Sequence, residues 1–144
     1  WKTGNKNIDI RSTFSIQPNS RITKHTVHTS EAVEGLVSGI VNHDVAYFQK
    51  ESENKTWAYI ATYGEQTVVP DNLGMAIFYE TESVLETKQG DFDHLIEFKP
   101  TTKPIVFYFL GAWEQEPKGI KTKAAFTTYL NKKLGKLNQN NNLN

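Results

Sequence analysis

The sequence predicts a mainly β protein, an antiparallel β-sandwich with one C-terminal α-helix. Short segments that alternate apolar with polar residues run along most of the chain, and turn-forming residues separate them. Helical spacing of apolar residues occurs only near the C-terminal end. Short strands joined by turns, without helices between them, are typical of antiparallel sandwiches and not of parallel α/β folds.

The first two predicted strands form a hairpin. Isoleucine and phenylalanine alternate with polar residues over residues 8–16, which is typical of a strand with one buried face. Residues 18–20, Pro-Asn-Ser, favour a turn, so residues 21–29 should return alongside. His25 and His28 lie three apart on this second strand and should therefore point to opposite faces.

The middle of the chain carries a series of further strands. They are predicted at residues 36–41, 45–48, 57–63, 73–79, 84–87 and 95–99. Gly39 interrupts the first of them, which indicates a bulge or a close approach of two backbones. Trp57, Tyr59 and Tyr63 share one face of their strand, and we expect the first two to lie in the core.

Residues 104–116 form the segment around which we expect the sheet to be built. The first part is apolar on both faces, so both faces must be covered and the strand should be central. Gly111 and Ala112 predict a bulge that turns Trp113 and Glu114 toward a cleft.

One helix is predicted at the end of the chain. Thr122 is a suitable N-cap, residues 126, 130 and 134 are apolar at helical spacing, and Gly135 stands where a C-terminal glycine belongs. The asparagine-rich residues 138–144 are predicted to be a disordered tail. Residues 1–137 then form a single domain or the C-terminal part of a larger one.

Composition excludes several classes of function. Sixteen basic residues balance sixteen acidic residues, so no net field attracts nucleic acid or an anionic membrane. The chain has no cysteine, which excludes disulfides and thiolate metal sites. No apolar run reaches the roughly 20 residues of a membrane helix. We expect no nucleic-acid partner, no membrane partner, no metal and no cofactor.

Four residues, His25, His43, Tyr63 and Glu114, are candidates for acid–base chemistry. His25 and His43 carry imidazoles that titrate near neutral pH, and His43 follows a strand end. Tyr63 supplies a phenol at another strand end. Glu114 and Glu116 are two residues apart and would form a close carboxylate pair if the strand continued through them. The alternative is that these glutamates are solvated turn residues and the histidines are half-exposed strand residues.

Three further residues are candidates for substrate binding. Arg21 shares a predicted strand face with His25 and could bind an acidic sugar. Gln66 follows a strand end, and Trp113 ends the central strand, where an aromatic ring can stack on a sugar. Aromatic residues are also common core residues. His94, among acidic residues at a strand start, is predicted to lie on the surface.

The order of segments resembles a known bacterial family. The segments are IDIRSTFSIQPNSRITKHTV, GLVSGIVNH, TYGEQ, DNLGMAIFY and YFLGAWEQEPKGI, followed by a helix with F-x-x-YL. They look like the C-terminal portion of the family called domain of unknown function 4861. Proteins of that family are longer than this chain, occur beside polysaccharide-degrading enzymes, and resemble the sandwich of galactose mutarotase and of several polysaccharide lyases.

The resemblance implies a carbohydrate-active protein of bacterial polysaccharide degradation, periplasmic or secreted. The implied chemistry is proton abstraction of the lyase, dehydratase or epimerase type on a uronic-acid-containing oligosaccharide. The chain would be a piece of a larger sandwich, completed by another chain or segment. The alternatives are a non-catalytic carbohydrate-binding module and a structural part without a site of its own.

Overall fold

The computed structural model describes residues 1–3 and 6–143. Its strands are β1 (Lys2–Thr3), β2 (Lys6–Asn7), β3 (Ile10–Ile16), β4 (Ile22–Thr29), β5 (Val37–Val41), β6 (Ala46–Glu51), β7 (Trp57–Glu65), β8 (Asn72–Glu80), β9 (Val84–Gln89), β10 (Asp93–Phe98) and β11 (Ile105–Trp113). A 3-10 turn at Thr81–Ser83 precedes β9, and helix α1 spans Lys123–Asn140. In this part of the chain, no helix combines the length and apolarity needed to cross a membrane.

The strands form two main antiparallel sheets. The six-stranded sheet has the order β3-β4-β11-β8-β7-β6, the three-stranded sheet has the order β5-β10-β9, and β1 pairs with β2. With the single helix at the C-terminal end, this arrangement confirms the predicted mainly β, sandwich-like fold.

The six-stranded sheet is the middle layer, with a core on each side. On the helix face, the sheet packs against α1; this cluster includes Tyr59, Phe78 and Tyr108 from the sheet, with Phe126 and Leu130 from the helix. On the opposite face, which we call the sandwich face, the sheet packs against the three-stranded sheet. That cluster includes Ile60, Ile77 and Phe107 from the six-stranded sheet, with Ile96 and Phe98 from β10.

Strand β11 is internal, as predicted, because it pairs with β4 on one side and β8 on the other. Its side chains alternate between the two clusters, so large apolar residues are covered on both faces. The bulge predicted at Gly111 and Ala112 is wrong. Pairing with β8 runs without a break from Phe107 to Trp113.

The first hairpin is confirmed, but its predicted buried face is wrong. Strands β3 and β4 pair from Ile10 opposite Thr29 to Ile16 opposite Thr23. Phe14 and Ile16 are nevertheless 60% and 66% exposed. They lie at the outer edge of the six-stranded sheet, on the sandwich face, where the three-stranded sheet does not cover them.

The N-terminus of α1 agrees with the sequence prediction, and its C-terminus does not. The Thr122 side chain caps the helix by accepting a hydrogen bond from the Ala125 amide at 3.1 Å. The helix continues past Gly135 to Asn140. It continues because Leu137 extends the buried face by another turn.

The predicted disorder of the asparagine-rich tail is also wrong over the described part. Residues 138–140 are helical, and Asn141 ends the helix with a left-handed φ of 54°. The Trp57 indole donates to the Asn141 side chain, and the Tyr108 hydroxyl donates to the Asn142 side chain at 2.9 Å. Low complexity misled the prediction because asparagines here satisfy buried aromatic donors.

Strand β5 and strand β10 approach unusually closely at Gly39. A Cβ at this position would lie 2.8 Å from the His94 carbonyl oxygen, which confirms the predicted close approach. The surface position predicted for His94 is wrong, since this residue is only 4% exposed. Its ring lies between the two sheets, 4.6 Å from the ring of Tyr47.

Candidate functional site

One end of the six-stranded sheet brings together most of the predicted site residues. Strands β7 and β11 finish there, and their antiparallel neighbours β4 and β8 begin there. Leu73 of β8 lies opposite both Gly64 and Trp113, which fixes the alignment. We call this region the sheet end. The predicted site residues that it carries are Arg21, Tyr63, Gln66, Trp113 and Glu114.

Trp113 is the exposed aromatic residue of the sheet end. Its side chain is 42% exposed, yet its Nε1 donates a hydrogen bond of 2.7 Å to Oδ2 of Asp71. Asp71 is 6% exposed and also accepts from the Thr67 hydroxyl. The indole is therefore held in one orientation by a buried carboxylate while its ring stays open to solvent.

Glu114 faces β8 and not a histidine. The Asn72 side-chain amide donates to Glu114 Oε2 at 2.9 Å, and the Glu114 backbone amide donates to the Asn72 carbonyl at 3.0 Å. Tyr63, on the helix face, donates its hydroxyl to the Ile120 carbonyl at 3.2 Å. Burial raises the pKa of Tyr63, and the negative charge of Glu114 raises it further. This phenol is a proton donor at neutral pH and not a base.

Arg21 does not share a face with His25, contrary to the sequence prediction. Its Nε lies 2.5 Å from Glu116 Oε1, its Nη2 donates to the Lys118 carbonyl at 3.0 Å, and its guanidinium lies over the Tyr129 ring. The hydrogen bond that Arg21 donates to the Glu116 carboxylate raises the pKa of Arg21. Arg21 precedes the first residue of β4, where strand alternation does not yet apply, so it turns toward the helix.

The predicted carboxylate pair of Glu114 and Glu116 does not form. Strand β11 ends at Trp113, and the Glu116 amide donates to the Trp113 carbonyl at 3.3 Å in a turn. The two carboxylates therefore have different partners, which are Asn72 for Glu114 and Arg21 for Glu116. The pairing argument required a strand that continued, and the turn removes it.

Gln66 is buried and binds within the protein. Its Nε2 donates to the Leu73 carbonyl at 2.6 Å and lies 3.1 Å from the Thr62 hydroxyl. These contacts fix the chain as it leaves β7. Gln66 thus supports the loop that carries Asp71, and the surface of the sheet end is formed by other side chains.

His25 lies apart from the sheet end, on the sandwich face. Its ring stacks on Phe14 at 4.1 Å and lies 4.7 Å from the Phe107 ring. Within the described residues its Nε2 has no hydrogen-bond partner. The ring borders a cavity of about 180 Å³ whose other lining residues are apolar apart from Ser12 and Ser38. Burial lowers the pKa of His25, so the ring is neutral at pH 7.

His43 is exposed in the loop between β5 and β6. Val45 of the same loop packs directly against Gly64, which brings the loop close to the end of β7. Of the other acid–base candidates, His25 and Tyr63 lie on opposite faces of the six-stranded sheet. The structure does not gather the predicted acid–base residues around one cavity.

Two residues of the sheet end were missed by sequence reasoning. Asp71 accepts a hydrogen bond from the Trp113 indole and Asn72 donates one to the Glu114 carboxylate, yet neither residue was among the predicted site residues. The sequence did contain a signal, because the strands predicted at 73–79 and 104–110 are both strongly apolar, which favours pairing between them at the centre of one sheet. In an antiparallel pair, the polar start of one lies beside the polar end of the other.

Comparison with known families matches residues 1–142 to the family described as "Domain of unknown function (DUF4861)". The match covers nearly the whole chain, so the chain belongs to this family, as its segments had predicted. No curated protein and no solved structure matches the chain.

Proposed function

We propose that this member of the DUF4861 family binds carbohydrate at the sheet end, with Trp113 as the platform for a sugar ring. The observation that carries the proposal is the exposed indole held by a buried carboxylate, 2.7 Å from Nε1 to Asp71 Oδ2. A part in bacterial polysaccharide breakdown, in the periplasm or outside the cell, belongs to the same proposal.

An exposed indole that is held in one orientation is well suited to stack against a sugar ring. The apolar face of a pyranose stacks on an aromatic face, and the ring loses little conformational freedom on binding when it is already held in place. Trp57 and Tyr63, two other aromatic residues of the same sheet, are buried in the core. Trp113 is thus the aromatic ring that the sheet end offers to a ligand.

Polar and apolar groups next to Trp113 fit the rest of a sugar. The Glu114 carboxylate and the Gln115 amide follow directly in the chain, 3.5 Å apart, and together accept from and donate to hydroxyl groups. Val68 and Val69, in the loop that carries Asp71, are exposed apolar residues. Directed polar groups beside an aromatic face are the usual composition of a small-molecule site.

Proton abstraction from a uronic sugar is the second candidate function, and His25 is the observation that favours it. Its neutral ring and unpartnered Nε2 suit a general base. No acidic side chain lines the adjoining cavity, however. Arg21, expected to neutralise the sugar carboxylate, is already paired with Glu116. The described residues therefore support binding more than they support acid–base catalysis.

Calorimetric titration with a panel of neutral and uronic-acid-containing oligosaccharides tests the binding proposal. We expect Trp113→Ala to weaken the binding of a responsive oligosaccharide about tenfold or more, as truncation of an aromatic anchor does. Trp113→Phe should keep part of the affinity. The matched control is Trp1→Ala, which removes an exposed indole elsewhere. Equal affinity in Trp113→Ala and wild type, or no binding across the panel, would contradict the proposal.

Mass spectrometry of the same oligosaccharides after incubation separates binding from catalysis. Unchanged sugar masses together with measurable binding support the binding proposal. A new double bond or the loss of water would instead establish lyase or dehydratase chemistry. If that activity disappears in His25→Gln and persists in His28→Gln, the second candidate replaces the first.

A further inference from the structure

The sandwich face of the six-stranded sheet is only partly covered. Strand β3 presents Ile10, Phe14 and Ile16 on this face, and all three are exposed. Phe14 also contacts Phe109 of β11 edge to face, with ring centroids 6.4 Å apart, and Phe109 is exposed as well. These four residues form one apolar surface, which we call the overhang. A contiguous exposed apolar surface of this kind is typical of a site that binds another molecule.

The overhang exists because the three-stranded sheet is narrower than the sheet that it covers. Its strand β5 lies above β8 and β11, and a cavity of about 180 Å³ separates Gly39 and Ile40 from Ile77 and Phe109. Strand β10 of the three-stranded sheet lies further from β3, because its residue His94 contacts Tyr47 of β6, and β6 is the opposite edge of the six-stranded sheet. Strand β5 is therefore the outermost strand before the overhang, and β3 and β4 extend past it.

The edge of β5 next to the overhang has unpaired backbone groups. Among the described strands, β5 pairs with β10 alone. The Asn42 amide donates to the Phe92 carbonyl, and the Phe98 amide donates to the Leu36 carbonyl. Because antiparallel bonding alternates along a strand, even-numbered residues of β5 bond to β10. The odd-numbered residues Val37, Gly39 and Val41 direct their N–H and C=O groups to the open side.

We propose that β5 accepts a single extended strand from another polypeptide, which becomes the fourth strand of the smaller sheet. The free backbone groups of β5 require an extended backbone as partner. The overhang beneath requires apolar side chains at alternate positions, since every second side chain of the added strand points toward Phe14 and Ile16. The cavity beside His25, which reaches Val37 and Ser38, accepts one of those side chains.

A second copy of this chain does not fit this position. If two copies joined β5 to β5 antiparallel, a two-fold axis perpendicular to the sheet would place both six-stranded sheets in the same layer. Strands β3 and β4 of one copy would then occupy the space of the other copy's sheet. A parallel join about a two-fold axis would set the odd-numbered residues of the two copies level with each other, so their outward N–H and C=O groups could not interleave as parallel pairing requires. A lone strand avoids both conflicts.

Synthetic peptides of about nine residues, the length of a long strand, test this proposal directly. The first alternates Val, Ile or Phe with Thr and Lys, a second has the same composition with its apolar residues in one block, and a third is the first with N-methyl groups at alternate positions. We expect saturable binding of the first peptide in fluorescence anisotropy. The block peptide should bind more weakly, and N-methylation should weaken binding roughly 2- to 10-fold for each donor lost.

Amide chemical shifts locate the bound peptide. We expect the largest changes at Val37, Gly39 and Val41. Val41→Pro, which removes one edge donor, should weaken binding, whereas Val41→Ala should not. Phe14→Ser should weaken binding while lowering the melting temperature only slightly, since Phe14 is 60% exposed and loses only its ring contacts with His25 and Phe109.

Three outcomes would overturn the proposal. The first is equal binding of the alternating, block and N-methylated peptides, which would mean non-specific adhesion. The second is a set of shift changes confined to β3, which would place the added strand on the other sheet. The third is a concentration-dependent dimer in sedimentation that the peptide does not dissociate. Because none of these readouts involves sugar, the result is independent of the carbohydrate proposal.

Discussion

Arg21 and Glu116, 95 residues apart in the chain, form an ion pair with 2.5 Å between Nε and Oε1. The pair joins the start of β4 to the turn after β11, at the sheet end. The guanidinium also lies over the Tyr129 ring, 5.6 Å from its centroid, so it links this turn to α1. The pair therefore connects three elements next to Trp113.

We expect Arg21→Ala to lower the free energy of unfolding by about 1 kcal/mol. The value is small because the two side chains are 24% and 29% exposed and solvent screens their attraction. Urea denaturation at low and high salt measures it, and the difference between wild type and variant should shrink at high salt. The matched control is Lys88→Ala, which breaks the exposed pairs with Glu86 and Glu97 and should change stability less. A larger loss in Lys88→Ala would contradict this ranking.

His25 should make the stability of the fold depend on pH. Burial lowers its pKa in the folded state below the ordinary value of 6.5, so near and below that value the unfolded chain binds more protons. The favourable contribution is complete above about pH 6.5 and is lost as the pH falls through the folded pKa. As the pH is lowered from about 7.5 to about 5, the free energy of unfolding of His25→Leu should therefore rise relative to that of wild type.

The control for this effect is His28→Leu, on the same strand but exposed on the opposite face. Urea denaturation at several pH values gives the free-energy difference between each variant and wild type. Carboxylates elsewhere titrate equally in all three proteins and cancel in those differences. A difference for His25→Leu that stays constant with pH would show that burial of the ring does not affect its titration.

Asn141 should be important for the packing of α1 on the sheet. Its side chain accepts a hydrogen bond of 2.5 Å from Nε1 of Trp57, a residue that is fully buried. Asn141→Gly keeps the left-handed backbone but leaves the indole N–H without this partner. We expect a loss of about 1–3 kcal/mol in the free energy of unfolding, the cost of an unsatisfied buried donor. Asn140→Gly, one residue earlier and exposed, is the control for chain flexibility.

A double-mutant cycle checks the cause. Trp57→Phe removes the donor, so adding Asn141→Gly to it should cost less than adding Asn141→Gly to wild type. Equal costs in the two backgrounds would show that the effect of Asn141 does not depend on the indole.

Alternating residues were sufficient to predict most of the strands, and they failed where burial depends on a distant element. The segment from Ile10 to Ile16 has the pattern of a half-buried strand, but the smaller sheet stops at β5 and leaves its apolar face open. Local pattern shows which face of a strand is apolar. It does not show how many strands the facing sheet has.

The sheet end was predicted only in part, again because a local pattern does not show which distant segments meet. Trp113 and Glu114 were identified from their position at the end of a strand. Their partners Asp71 and Asn72 lie 42 residues away and were not identified. Strand order decides which residues meet, and a single sequence contains little information about strand order. Arg21 was a candidate for substrate binding, but in the structure it pairs with Glu116, whose position depends on the turn after Trp113.

Replacing Gly74 should destabilise the fold, because α1 packs directly on this residue. A Cβ at this position would lie 2.7 Å from three ring atoms of Phe126, a fully buried residue of α1. Gly74→Ala should therefore lower the free energy of unfolding by about 1–3 kcal/mol, the usual cost of overpacking a core. Gly111→Ala is the matched control in a neighbouring strand, since its Cβ would meet only a Leu73 side-chain carbon at 3.9 Å. Phe126→Leu should reduce the cost of Gly74→Ala, because it removes the ring atoms that the new methyl group meets; an undiminished cost would place the strain elsewhere.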